Sequence, residues 1–403
     1  MTGPVANVSP LTRSQRLGVL LAAFLAWMFA GLEISLFILI HRQMSLELLG
    51  PDTPEPVITR WFAWYQAAFL FGAAAGGWLF GWLGDRVGRT RAMGLAILCY
   101  SLFTLVSYFI SSADAMLGLR FIACLGVGGV WPNAVALVAE AWPDASRPFL
   151  AGLLGAAANV GFVLMGAIGY CVPVTEGDWR WTLLVAWLPG VVGLAVLALA
   201  PESARWLAHR AAGNADAKPG SPLRAVFRPP LLSRTVLGIT LGAIPVVGSA
   251  ANANWVVPWT DHAATQKARS AGSLAEPVSP TDVRAKAKEK AKTLMTRSGG
   301  AVFGSLLGGF LASVLGRRVS YFLISLGALA VSSYLFGQLD PLDPSFHVCV
   351  FLLGFVGITY FGWLPLFLPE LFPTRVRSTG TGISFNTGRV VAAVVVLVTG
   401  FLV

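Results

Sequence analysis

The sequence predicts an all-α integral membrane protein of two pseudo-symmetric six-helix bundles, with eleven of the twelve spans visible. Composition is the first observation behind this. Of 403 residues 56% are hydrophobic and 12% charged, and mean hydropathy is +0.70, which is more apolar surface than a soluble core hides. Second, apolar runs of about 20 residues, each long enough to cross a bilayer as a helix, recur along the chain. Third, the two halves of the chain repeat one another.

The runs fall near 17–40, 59–83, 90–110, 115–138, 147–170 and 180–200, then near 233–256, 297–315, 319–337, 346–368 and 378–403. The first is too long for a signal-peptide core and lacks a small-residue cleavage site, so it reads as a retained helix. The expected organisation is an N-terminal bundle over 1–200, a polar linker over 201–232 and a C-terminal bundle over 233–403 in which helix 12 is absent or truncated. The net charge of +10 does not point to nucleic acid, because the basic residues sit in short segments between spans and form no single face. With the N-terminus on the cytoplasmic side of a plasma membrane, inside segments hold sixteen Lys and Arg, from Arg13 to Arg377. Outside segments hold Arg42, Arg60 and Arg180, apart from a basic stretch at 257–296, and that imbalance sets the orientation. Within the basic stretch Val283 to Thr296 reads as helical. The four cysteines lie in or at the ends of spans without metal-like spacing and are expected as free thiols.

The internal repeat is specific. Glu140-Ala141-Trp142-Pro143, with Arg147 and Gly152, matches Glu370-Leu371-Phe372-Pro373, with Arg377 and Gly382, at an offset of 230 residues. Gly81, Gly88 and Arg89 match Gly309, Gly316 and Arg317 at an offset of 228, while Asp85 and Arg86 are replaced by Ser313 and Val314. The charged turn Gly84-Asp85-Arg86-Val87-Gly88-Arg89 between the second and third spans is the sharpest motif. It resembles the signature loop between helices 2 and 3 of the major facilitator superfamily. Pro201-Glu202-Ser203-Ala204-Arg205-Trp206-Leu207 resembles the signature after helix 6 of its sugar-porter branch. Pro373-Thr374-Arg375-Val376-Arg377-Ser378-Thr379-Gly380 with Asn386-Thr387-Gly388-Arg389 resembles the helix 10–11 region of organic-acid and synaptic-vesicle-glycoprotein-like members.

That resemblance implies a transporter in which two bundles rock around a midplane site. Two departures narrow the substrate. Helix 7 lacks the paired glutamines with which sugar porters hold hydroxyls, and helix 5 lacks the Gly-Pro signature of drug antiporters. No phosphate-binding loop, catalytic triad or metal cluster appears, so neither an ATP-driven pump nor an enzyme is expected, and no cofactor.

Charges inside a membrane are costly and mark function by default. Glu33 in helix 1 and Arg120 in helix 4 are expected to carry and tune a coupling proton. Arg389, with Asn386 three residues earlier on the same helical face, is expected to bind a substrate anion. Asn159, Asn252, Asn254, Trp255, Tyr360 and Trp363 are candidates for lining the cavity, with Trp131 beside them. Asp85, Arg86, Arg89, Glu140, Arg147, Arg317, Glu370 and Arg377 are expected to form a cytoplasmic gate of ion pairs. The expectation is therefore a monomeric symporter for a small organic anion and protons, working by alternating access. An uncoupled facilitator of a neutral solute such as a sugar, or a non-transporting sensor of the same fold, are the alternatives.

Overall fold

The computed structural model describes residues 11–142, 147–175, 177–212, 221–249, 255–260, 263, 280–341 and 343–402. Those residues fold into helices and connecting turns. α1 (Arg13–Leu49), α2 (Glu55–Val87), α3 (Arg89–Ser107), α4 (Ala113–Ala141) and α5 (Arg147–Cys171) are followed by α6 (Trp181–Trp187) and α7 (Pro189–Leu199), which share one span broken before Pro189. Short α8 (Ala204–Ala212) and α9 (Pro222–Val226) lead to α10 (Leu231–Gly248). Then come α11 (Pro280–Val314), α12 (Arg317–Gln338), α13 (Phe346–Ile358), α14 (Tyr360–Phe367) and α15 (Arg377–Leu402). Four cysteines are free thiols.

Local chemistry fixes where several of these begin. Thr12 caps α1 and Gln15 reaches back to the Thr12 amide, a reciprocal capping box. Ser112 caps α4. Gly88 stands at the start of α3 with φ +118°, a conformation an L side chain resists, and a methyl there would collide with the Glu202 carboxylate. Its repeat partner Gly316 starts α12 with φ +79°, so the offset found in the sequence corresponds to one structural device used twice.

Ten spans among the described residues are long and apolar enough to cross a membrane. The run expected at 297–315 differs in kind. It is the second part of α11, a single 35-residue helix whose first part carries Arg284, Lys286, Lys288, Lys290 and Lys292. The end of the basic stretch, expected as a helix over 283–296, is continuous with that run, and its Lys290, Ala291 and Leu294 are buried against the rest of the molecule. α1 likewise extends to Leu49, nine residues past the expected end at 40.

Within the first half α1 packs on α4 and α5, and α4 packs on α2 and α3. In the second half α10 packs on α15, and α11 on α13 and α14. Two long seams join them, α2 against α15 and α5 against α11. Glycine makes both seams close. A methyl at Gly77 would strike the Asn386 side chain, and one at Gly309 would strike the Pro148 carbonyl, the small-residue approach by which membrane helices bring backbones together.

Candidate functional site

The chain turn at 84–91 lies at one end of the bundle, and the charges buried in its interior lie about 18 Å away, since Arg389 is twelve residues along α15 from Arg377 at about 1.5 Å per residue. There Glu33 and Arg120 form a buried ion pair, Oε1 to Nη1 at 2.9 Å, each side chain 1% exposed. The pair is incompletely satisfied: Glu33 Oε2 and Arg120 Nε and Nη2 have no hydrogen-bond partner. Aromatic faces hold the guanidinium instead, Phe37 at 3.9 Å and Phe69 at 5.6 Å. The two charges meet because α1 and α4 pack side by side.

Arg389 takes a second position on Phe69. Its guanidinium lies 5.5 Å from that ring and 5.1 Å from Phe385. The residue is 5% exposed, Nη1 has no hydrogen-bond partner, and no carboxylate pairs with it among the described residues. A buried cation held only by ring faces keeps its donor fork for something else. Between Arg389 and the turn, Trp131 of α4 stacks on Phe385 of α15 at 4.1 Å and Phe361 of α14 meets Phe385 edge-on. These three rings pack across the two halves.

At the turn the gate residues converge. Asp85 pairs with Arg89 at 3.0 Å, and its two oxygens accept the Ser378 and Thr379 backbone N–H groups at 3.2 and 2.8 Å. Those amides open α15, so the carboxylate of one half sits on the helix N-terminus of the other. Arg89, fully buried, also reaches Glu140 at 3.3 Å, the Gly84 carbonyl at 2.9 Å and the Thr374 carbonyl across the seam. Glu140 accepts from Arg377 at 3.1 Å and from the Ser203 hydroxyl. Glu202 receives the Arg89 and Thr90 amides at 2.9 and 3.1 Å; burial pushes its carboxyl above the ordinary range, while those amides hold it down. Trp206 Nε1 donates to the Asp85 carbonyl at 2.9 Å. Beside this network a cleft of about 80 Å³ opens among Trp142, Leu150, Arg205, Pro365, Glu370 and Arg377.

Not every expected residue joins. Arg86 lies over Trp82 at 5.2 Å, outside the network. Arg317 pairs with Glu370 at 3.0 Å, half-exposed and within the second half, so it copies the Arg89–Glu140 pair without bridging the seam. Trp255 stands edge-on to Phe62 at 5.5 Å, toward the end of the bundle opposite the turn. The Tyr360 hydroxyl is taken by Ser325 at 2.5 Å, whereas Trp363 is buried with Nε1 unpartnered beside Tyr321. Asn386 donates to the Gly382 carbonyl at 2.9 Å and packs on Gly77 in the seam, leaving Oδ1 without a partner. Asn159 is buried with its amide on the Gly155 carbonyl at 3.4 Å. Asn252, Asn254 and the Arg147 side chain lie outside the described residues. Phe69, Phe385 and Phe361 escaped sequence reasoning, since a buried ring has no distinguishing pattern there. Glu202, Ser203 and Trp206 were visible in the signature after helix 6 but had no assigned partner.

Two helical halves packed along two seams, with charged side chains buried in the interior and an ion-pair network at one end, are features of a membrane transporter. The comparisons make the class specific. A family signature described as "Sugar (and other) transporter" matches residues 21–220. A probable 4-methylmuconolactone transporter of Cupriavidus pinatubonensis is 30% identical over 82% of this chain and 72% of its own. The cis,cis-muconate transport protein of Acinetobacter baylyi is 27% identical over 83% and 76%. Among solved structures, the proton:xylose symporter XylE superposes with a TM-score of 0.71 at 15% identity, covering 96% of this chain and 89% of that one. The human organic anion transporter MFSD10 superposes at 0.69 and 16% identity, covering 96% and 93%; at such identities the likeness establishes the fold. The chain belongs to the sugar (and other) transporter family of the major facilitator superfamily, and it is a transporter, not an enzyme.

Proposed function

We propose that this protein is a proton-coupled symporter that carries a small organic acid across the plasma membrane by alternating access. The carrying observation is Arg389, a buried guanidinium with no acidic partner among the described residues, on the same Phe69 ring as the Glu33–Arg120 pair. A carboxylate entering the chamber completes the charge balance of Arg389 and uses its planar fork. The relatives named for muconate and methylmuconolactone support an organic-acid substrate over a hexose.

Coupling follows from the ion pair. Protonating Glu33 removes the Coulombic hold on Arg120, and an unpaired buried cation is unfavourable by about 3–5 kcal/mol. The chamber then favours an anion or a rearrangement that rehydrates Arg120. In this reading residues 1–200 and 233–403 are the two moving bodies, joined by 201–232, with the 84–91 turn on the cytoplasmic side and the protein acting as a monomer. Glu33→Gln mimics the protonated carboxyl: in proteoliposomes it abolishes pH-gradient-driven muconate uptake and preserves muconate counterflow. Loss of both activities in a folded variant makes the pair a static one, and uptake indifferent to the gradient in the unsubstituted protein makes it a facilitator.

A further inference from the structure

The second half of the molecule carries a further buried arginine. Arg297 lies in the middle of α11 and is 7% exposed. On α11 the lipid-facing side is marked by exposed Lys292, Phe303 and Phe310. Arg297 shares the other face with Lys290, Leu294 and Ala301, all buried, at the three-, four- and seven-residue spacings that keep side chains together on a helix. Its guanidinium crosses the seam to lie 5.5 Å from the Phe162 ring of α5.

Contacts running sideways from helix to helix place it at the level of the other charges. Gly161, beside Phe162, packs against the Met28 and Leu32 backbone of α1, and Glu33 is the next residue. Glu33 pairs with Arg120 of α4, Arg120 lies on Phe69 of α2, and Phe69 carries Arg389 of α15. The series of contacts therefore runs α11, α5, α1, α4, α2, α15 at one level of the molecule. Because α11 seats on α5 and α15 on α2, Arg297 and Arg389 approach from opposite flanks. One turn from Arg297, the buried Thr293 hydroxyl has no hydrogen-bond partner, which adds a donor on the same helix.

We propose that Arg297 is a second anchor of the substrate site, holding the distal acceptor group of an organic dianion whose first carboxylate sits on Arg389. This rests on the organic-acid reading above and adds a substrate class to it: acids with a carboxylate at each end are preferred to those with one. Each arginine supplies charge-assisted hydrogen bonds from a rigid fork, and the two flanks fix the ligand's length and orientation. Phe69 and Phe162 present flat apolar surface to an unsaturated chain between the ends.

The test is isothermal titration of the purified full chain with cis,cis-muconate and with its monomethyl ester, which keeps the carbon skeleton and removes one charge. The unsubstituted protein is expected to bind the diacid at least about 10-fold more tightly. Arg297→Gln is expected to bring the diacid down to the level of the ester while leaving ester affinity nearly unchanged, and Arg297→Lys to recover part of the preference. Thermal unfolding of each variant shows whether it is folded; if Arg297→Gln is not, Arg297→Lys carries the comparison. A diacid preference that survives substitution, or equal binding of the two ligands by the unsubstituted protein, overturns the second anchor and leaves the organic-acid reading standing. Binding of neither ligand overturns both.

Discussion

At the scale of single residues, three arginines with similar burial do different work because their surroundings differ. Arg120 is tied to Glu33 at 2.9 Å, Arg89 to two carboxylates and to carbonyls on both sides of the seam, and Arg389 to ring faces alone. The last is the one whose replacement is expected to change ligand binding, on the proposed function, without breaking an ion pair among the described residues. Arg389→Lys keeps charge but loses the fork, and Arg389→Gln loses both. Muconate affinity measured by titration is expected to fall about 10-fold in the first and beyond detection in the second; unchanged affinity in both makes Arg389 structural. Asp85→Asn places a side-chain N–H against the α15 amides in place of an acceptor. At about 1.5–3 kcal/mol per hydrogen bond to a charged group, closure at the turn weakens by roughly one to two orders of magnitude. Labelling of an introduced cysteine near Ser378 by a membrane-impermeant thiol reagent added on the cytoplasmic side should speed up. Unchanged labelling counts against the gate.

At the scale of elements, the start of α3 depends on a segment more than a hundred residues later. Glu202 accepts the first two α3 amides, work normally done by a side chain at the cap itself, and Gly88 supplies the positive φ and the space for it. Glu202→Ala is expected to lower unfolding free energy in detergent by about 1–2 kcal/mol. Gly88→Ala is expected to cost about 1–3 kcal/mol, combining an unfavourable φ with a clash. Gly316→Ala is the informative comparison, because Gly316 has the positive φ but nothing near its missing side chain. It should destabilise less than Gly88→Ala in the same melts, and equal losses would mean that Glu202 contributes nothing.

At the scale of the whole molecule, the repeat is symmetric in architecture and asymmetric in chemistry. Both halves carry the glycine turn and the Arg–Glu pair, but only the first half has an acid at the position of Asp85. Ser313, its counterpart, bonds back to Phe310 at 2.7 Å and makes no contact like that of Asp85. A rocking motion that opens the turn end therefore has to break the Asp85 contacts at α2–α15, which have no counterpart at Ser313. Installing the missing acid as Ser313→Asp tests this: it should slow muconate counterflow by steadying the closed turn, and a faster or unchanged rate would show that the second seam does not part in the cycle.

The sequence by itself determined the spans, the repeat and the family. Length of apolar runs, positive charge between them and a special residue recurring at a fixed offset are all one-dimensional quantities. It also singled out Glu33, Arg120 and Arg389, since an ionisable residue inside an apolar run is conspicuous whatever surrounds it. Partners were decided only by the tertiary structure. Which carboxylate meets which arginine depends on helices packing side by side, as with Glu33 and Arg120, and on a turn reaching across a seam, as with Asp85 and the amides of Ser378 and Thr379. Arg297 shows the limit most clearly. In the sequence it stands beside a basic stretch, at the start of the apolar run at 297–315; in the fold α11 continues through it, and its charge is buried against the ring of Phe162.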